Sequence, residues 1–149
     1  MSTGKNSGPA AQDVLGYLLK HATMRLTALT DAALAPHGID SKDLGILRVM
    51  AKEEALSQLQ VAQALGIDRT TMVSLLDALE SRGIVTRNPD PEDRRRNLVQ
   101  LTAAGADIYD AGEAVRKAVE ADFLAPINEV SRENLRKSLR ALVVDPSSL

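Results

Sequence analysis

Three arginines in a row, Arg94, Arg95 and Arg96, follow the turn-forming run Asn88-Pro89-Asp90-Pro91-Glu92-Asp93 and precede the alternating segment Leu98-Val99-Gln100-Leu101. A guanidinium is permanently charged and presents a planar fork of donors that matches phosphate and the acceptor edge of guanine. Three of them on the tip of a short hairpin suit contact with a polyanion. Asp93 stands out among them, because a carboxylate repels phosphate; its expected part is to pair with an arginine and fix the loop. Upstream, Arg69, Thr70, Thr71 and Ser74 open an apolar-periodic run. Arginine can hold guanine in a bidentate fork, and hydroxyls both donate and accept. Ser57 and Gln58 begin the segment before that one, where a helix start is itself an anion site.

Other chemistries find little support. With no cysteine in the chain, disulfides, thiolate metal sites and thiol nucleophiles are excluded. His21 and His37 have no neighbour at metal-ligand spacing, and no glycine-rich phosphate loop or Gly-x-Ser-x-Gly elbow occurs. Glu53-Glu54 reads as solvated charge at a helix end. Neither an enzyme nor a metal or other cofactor is therefore expected. His21 and Arg25 are four apart on a helical pattern and share a face. Arg25 could meet a ligand carboxylate, and His21 could hydrogen-bond or titrate near neutral pH. The alternative for this pair is an exposed polar edge or an intersubunit salt bridge.

These groups must be held by a small, mainly aliphatic fold. The 149 residues suit one domain or two small lobes, with 44% hydrophobic residues but only 2% aromatic. Net charge is −2, whereas a nucleic-acid binder is more often basic. From Ser57 to Thr102 there are six Lys/Arg and six Asp/Glu, so placement rather than excess must serve any contact with nucleic acid. The N-terminal segment lacks the apolar core of a signal peptide. No apolar run approaches the roughly 20 residues of a membrane helix. A cytoplasmic protein is expected.

Residues 1–10 are rich in Ser, Gly and Pro and are expected to be disordered. A helical stripe of Leu15, Leu18, Ala22, Leu26, Leu29 and Ala33 runs from Ala11 to about Leu34, and Gly38 offers a left-handed cap. A second helix begins near Ser41 and turns Leu44, Leu47 and Met50 inward. Ser57 and Gln60 form a capping box for a short helix expected to bury Leu59, Ala62 and Leu65. Gly66 breaks that helix. Asp68 caps the next, which buries Met72, Leu75, Leu76 and Leu79 and ends at Gly83. Two helices joined by a short glycine-containing turn are a helix-turn-helix. Ile84–Arg87 and Leu98–Leu101 then pair as strands around the arginine loop, which makes a winged helix. A long helix from Ala103 to about Leu124 follows, interrupted at Pro126. Ser131 is expected to cap a last helix with Leu135, Leu139 and Leu142 inward.

The stretch from Leu56 to Gly105, above all Asp90-Pro91-Glu92-Asp93-Arg94-Arg95 followed by Leu101-Thr102 and Gly105, resembles the MarR family of transcriptional regulators. The resemblance covers roughly Ala11 to Val143. It implies a winged-helix homodimer on palindromic DNA sites, usually a repressor and often released by small phenolic or acidic ligands. It matches Asp93 and Arg95 to the family's wing positions, implying Arg95 in the minor groove with Arg94 and Arg96 on phosphates. Many members carry aromatic residues or a reactive cysteine around the effector pocket, whereas this chain has only Tyr17, Tyr109 and Phe123. The resemblance thus supports DNA binding better than any particular effector.

The expected architecture is mainly α. A winged helix-turn-helix DNA-binding lobe occupies 37–102, and dimerisation helices occupy 11–36 and 103–145. The apolar stripes of the terminal helices exceed what the lobe can cover, which favours a second copy of the chain. A ligand-independent DNA binder, or a protein-interaction module that has lost DNA binding, remain alternatives.

Overall fold

The computed structural model describes residues 10–52 and 55–143. The expectation of disorder over 1–10 falls, apart from Ala10, outside the described residues, as does the reading of Glu53-Glu54. Among these residues six α-helices and three short strands follow one another: α1 (Leu15–Leu34), α2 (Ser41–Ala51), β1 (Leu56–Ser57), α3 (Gln58–Leu65), α4 (Arg69–Ser81), β2 (Val85–Pro89), β3 (Asn97–Leu101), α5 (Ala103–Leu124) and α6 (Glu129–Leu142). A single 3₁₀ turn, Ala11–Asp13, precedes α1, so the first α-helix begins with the first residue of its apolar stripe, Leu15, and not at Ala11 as expected.

Local chemistry sets the boundaries. Asp40 and Asp43 form a reciprocal capping box at the start of α2, and Ser57 and Gln60 form another at α3. Asp68 caps α4 by accepting from the Thr71 amide. Gly66 ends α3 at φ 63° and Gly83 follows α4 at φ 73°, a left-handed conformation that a side chain disfavours. The sheet runs β1-β3-β2. β2 and β3 form an antiparallel hairpin from Val85 opposite Leu101 to Pro89 opposite Asn97, and β1 adds Leu56 opposite Val99. At two residues, β1 is too short to show any alternation in the sequence.

The core lies in the lobe, where α2, α3, α4 and the sheet contribute its side chains together with Leu34 of α1. Leu34, Leu44, Ile46, Leu47, Val61, Met72, Leu76, Leu79, Val85 and Val99 are all but fully buried. Each such side chain contributes about 1.5–3 kcal/mol on burial. Three expectations need correction. Leu59 is 57% exposed, and Val61 fills the core instead. At about 100° per residue, Val61, Ala62 and Leu65 span one arc of α3, and Leu59 points roughly 110° from its centre. The cap of α6 is Asn128, whose side chain accepts from the Ser131 amide, because the helix begins at Glu129. Leu135, Leu139 and Leu142 are not inward within this chain, since all three are exposed.

The long helices are fastened to the lobe at close quarters. Thr102 caps α5 by accepting from Gly105 N, and its hydroxyl donates to the Gly83 carbonyl at 2.6 Å. Gly105 itself is buried, and a Cβ there would lie 2.0 Å from the Ile84 carbonyl oxygen. At Gly112 a Cβ would lie 2.8 Å from the Leu44 Cδ1. Ion pairs continue the attachment. Glu113 of α5 bonds Arg48 of α2 and Arg116, Arg116 bonds Glu120, and Glu120 bonds Arg136 of α6.

Gly105→Ala is expected to cost about 1–3 kcal/mol or more, because the obstructing atom is backbone. Gly112→Ala costs less, because a leucine methyl can swing aside. Urea melts of both variants check the order, and equal midpoints would refute it. The Glu113 carboxyl gives a second expectation. Burial alone would raise it, but hydrogen bonds from Arg116 and Arg48 and their charges together outweigh that, leaving it below the ordinary 4.5. A depressed carboxylate stabilises the fold fully above its unfolded value, and that contribution disappears as pH falls through its folded value. Below pH 4.5 the wild type should therefore lose melting temperature more steeply than Glu113→Gln; parallel profiles would exclude Glu113 as a source of acid sensitivity.

Candidate nucleic-acid interface

The helix-turn-helix sets the first wall of the candidate site. Because Asp68 caps α4 and Gly66 turns the chain just before it, the first turn of α4 projects from the lobe, with Arg69, Thr70, Thr71 and Ser74 all exposed. The Thr71 hydroxyl donates to the Asp68 carboxylate at 2.6 Å. That bond and the Thr71 amide lower the Asp68 pKa, so the cap stays ionised.

The wing is the second wall, and it is internally ordered. Asp90 N donates to the Arg96 carbonyl at 2.8 Å, and Arg96 N donates to the Asp93 carbonyl at 2.9 Å. The Asp90 carboxylate accepts from Glu92 N. Asp93 accepts from both the amide and the Nε of Arg95, at 3.1 and 3.3 Å. Even so, the Arg95 side chain is 93% exposed, and Arg94 and Arg96 are exposed beside it.

Between the walls lies a crevice of about 520 Å³, to which Arg69 contributes from α4, Arg95 and Arg96 from the wing, and Gln58 and Leu59 from the start of α3. Three arginines thus line one concavity, a concentration of cationic side chains that suits a phosphate-bearing strand. Arg94 does not line it. Ser57 does, but it is 4% exposed and its hydroxyl accepts from the Gln60 amide. Its place is therefore that of a helix cap, which leaves the hydroxyl little reach toward a phosphate.

One feature escaped the sequence reading. Arg87 of β2 bonds Gln58 of α3 at 3.1 Å, Glu80 of α4 at 3.0 Å, and the Asp77 carboxylate. The hydrogen bond that Arg87 donates to Glu80 is the main cause that raises the Arg87 pKa, and the same bond lowers that of Glu80. Asp77 and Glu80, three apart on α4 and followed by an arginine in the next strand, were the available signal.

His21 and Arg25 lie on α1, outside the crevice. The His21 ring sits 4.0 Å from Tyr17, and Arg25 stacks over Phe123 of α5 with Cζ 5.6 Å from the ring centre. Arg82, next to the end of α4, pairs with Asp43 at 3.5 Å. Among the described residues no cluster of three His, Cys, Asp or Glu could hold a metal, and no helix is long and apolar enough to cross a membrane.

Comparison with known proteins adds to this geometry. Residues 37–96 match the model of the MarR family. The chain is 32% identical over 98 residues to a putative transcriptional regulatory protein for the hcr operon of Thauera aromatica; the match takes in 66% of the chain and spans 59% of that relative's length. It is 29% identical over 138 residues to the transcriptional repressor Rv2887 of Mycobacterium tuberculosis strain H37Rv, covering 93% of the chain and 99% of the relative. Among solved structures it is similar to the repressor CouR on a 23-mer DNA duplex, with TM-score 0.85, 27% identity, and 89% and 94% of the two chains covered. CouR from Rhodococcus jostii RHA1 bound to p-coumaroyl-CoA gives TM-score 0.80 at 25% identity, covering 93% and 98%. With the family's helix-turn-helix and wing both present in its fold, the chain belongs to the MarR family of winged helix-turn-helix transcriptional regulators.

Proposed function

We propose that the protein is a cytoplasmic repressor that binds a palindromic operator as a homodimer. The observation that carries this reading is the crevice in which the exposed tip of α4 and the ordered wing present Arg69, Arg95 and Arg96 together. In this reading α4 enters the major groove, with Arg69, Thr70, Thr71 and Ser74 at base edges. Arg95 reaches the neighbouring minor groove, whose negative potential draws arginine in, while Arg94 and Arg96 meet phosphates. Gln58 contacts the backbone from the start of α3, Ser57 supports it as the cap, and Asp93 orders the wing. The lobe of 37–102 is then the DNA-binding unit.

The exposed leucines of α1 and α6, among them Leu15, Leu18, Leu135, Leu139 and Leu142, support the segments 11–36 and 103–145 as the dimer interface. Apolar faces of that extent mark association surfaces. A two-fold axis there sets operator half-sites about 10–10.5 base pairs apart. A small aromatic or acidic ligand, of the kind CouR's bound p-coumaroyl-CoA exemplifies, would release the DNA by preferring a different lobe spacing. His21 and Arg25 are its candidate contacts, Arg25 already offering a cation at the Phe123 ring.

Arg95→Ala is expected to weaken binding to a DNA duplex and to lower the salt slope by about one. Ser74→Ala should instead shift the preference between operator sequences by about 1–3 kcal/mol. Anisotropy titrations over a salt series measure both; an unchanged Arg95→Ala slope would exclude the wing from the interface. Sedimentation at micromolar concentration should give a dimer, and a monomer there would refute the two-fold arrangement.

A further inference from the structure

We propose that Arg87 is a positioning residue for DNA binding, which holds the Gln58 carboxamide with its oxygen turned inward and its NH₂ turned to the duplex backbone. This rests on the DNA-binding reading above and names a residue that would not itself touch the nucleic acid.

A glutamine amide has two faces of opposite character: an oxygen that only accepts and an NH₂ that only donates. Phosphate oxygens only accept, so one orientation is attractive and the other repulsive. In water the two interchange freely. Here Arg87 removes the choice. Its guanidinium has donors and no acceptor, and its Nη1 donates to Gln58 Oε1 at 3.1 Å. The NH₂ is left for the crevice that Gln58 lines with Arg69, Arg95 and Arg96.

The guanidinium is itself fixed. Its Nη2 donates to Glu80 Oε1 at 3.0 Å and to the Asp77 carboxylate, and the Arg87 backbone N–H donates to Glu80 Oε2 at 3.1 Å. The Arg87 side chain is 17% exposed. One planar fork therefore joins β2, α3 and α4, which a lysine, with a single point charge, cannot reproduce. The relay runs from two carboxylates of the recognition helix, through Arg87, to the orientation of one amide at the start of α3.

The test uses the full chain and a fluorescein-labelled, mixed-sequence DNA duplex, since backbone contacts are independent of sequence. Arg87→Lys keeps the charge, so its salt slope should match wild type while affinity falls about tenfold, the size of one charge-assisted hydrogen bond. Gln58→Ala should give the same loss, and the double variant no more than either alone. The Gln58 side-chain NH₂ resonances, displaced in wild type, should return to ordinary glutamine positions in Arg87→Lys. If that variant melts too low, Gln58→Glu reads the same relay in a protein whose Arg87 gains an ion pair: it should melt no lower than wild type yet bind more weakly than Gln58→Ala. Wild-type affinity in folded Arg87→Lys, additive losses in the double variant, or Gln58→Glu binding as well as Gln58→Ala would each overturn the proposal. Wild-type protein that leaves the duplex unbound at low salt would instead overturn the DNA reading, and this inference with it.

Discussion

The backbone of α5 passes so near the Ile84 carbonyl that a methyl group at Gly105 would lie 2.0 Å from its oxygen. That contact, with the Thr102 hydroxyl bonded to Gly83 on one side and Gly105 on the other, fixes where the wing's return strand becomes a long helix. The turn it grips is the turn that ends α4. The orientation of the recognition helix relative to α5 is therefore set by hydrogen bonds and hard contact within a few residues. Interiors at native density transmit such constraints with little give. The ion pairs from Arg48 through Glu113, Arg116 and Glu120 to Arg136 extend the same attachment toward α6.

Net charge gives a poor account of the interface, because the sum says nothing of where the charges sit. Asp77 and Glu80 are engaged by Arg87, Asp43 by Arg82, and Glu113 and Glu120 by arginines of three helices. These five acids are matched by five arginines, so the fields of both are largely cancelled locally, and the formal −2 rests on the other charges. At the crevice Arg69 stands with Arg95 and Arg96, Arg95 being itself paired with Asp93. Local fields, not the sum, govern encounter with a charged partner.

Much of this was legible in the chain because it rests on local rules. The left-handed glycines at 38 and 66, the helix end at Gly83, the Ser57–Gln60 box, the Asp68 cap and the pairing of the two hairpin strands follow from short-range chemistry. What was missed depends on phase or on distance. Leu59 looked buried because it is apolar at a helix start, yet one position decides which side of a short helix meets the core. Ser131 looked like a cap because it stands one turn before the Leu135, Leu139 and Leu142 stripe, whereas the helix begins at Glu129 and is capped by Asn128. The α6 leucines fit an amphipathic helix, but nothing in the spacing says that their partner lies outside the chain's own core. The Arg87 hub joins residues from Gln58 to Arg87 in sequence, a juxtaposition created only by folding.

The wing's cross-bonds carry a consequence for the thermodynamics of association. A loop that becomes ordered only on docking would contribute a large unfavourable entropy and the heat-capacity change of coupled folding. Here the tip from Asp90 to Arg96 is already closed by its own amides and carboxylates, so its ordering is complete at the folding step. Engagement then approaches a rigid-body event, with the calorimetric imprint of counterion release in place of that of a chain taking shape.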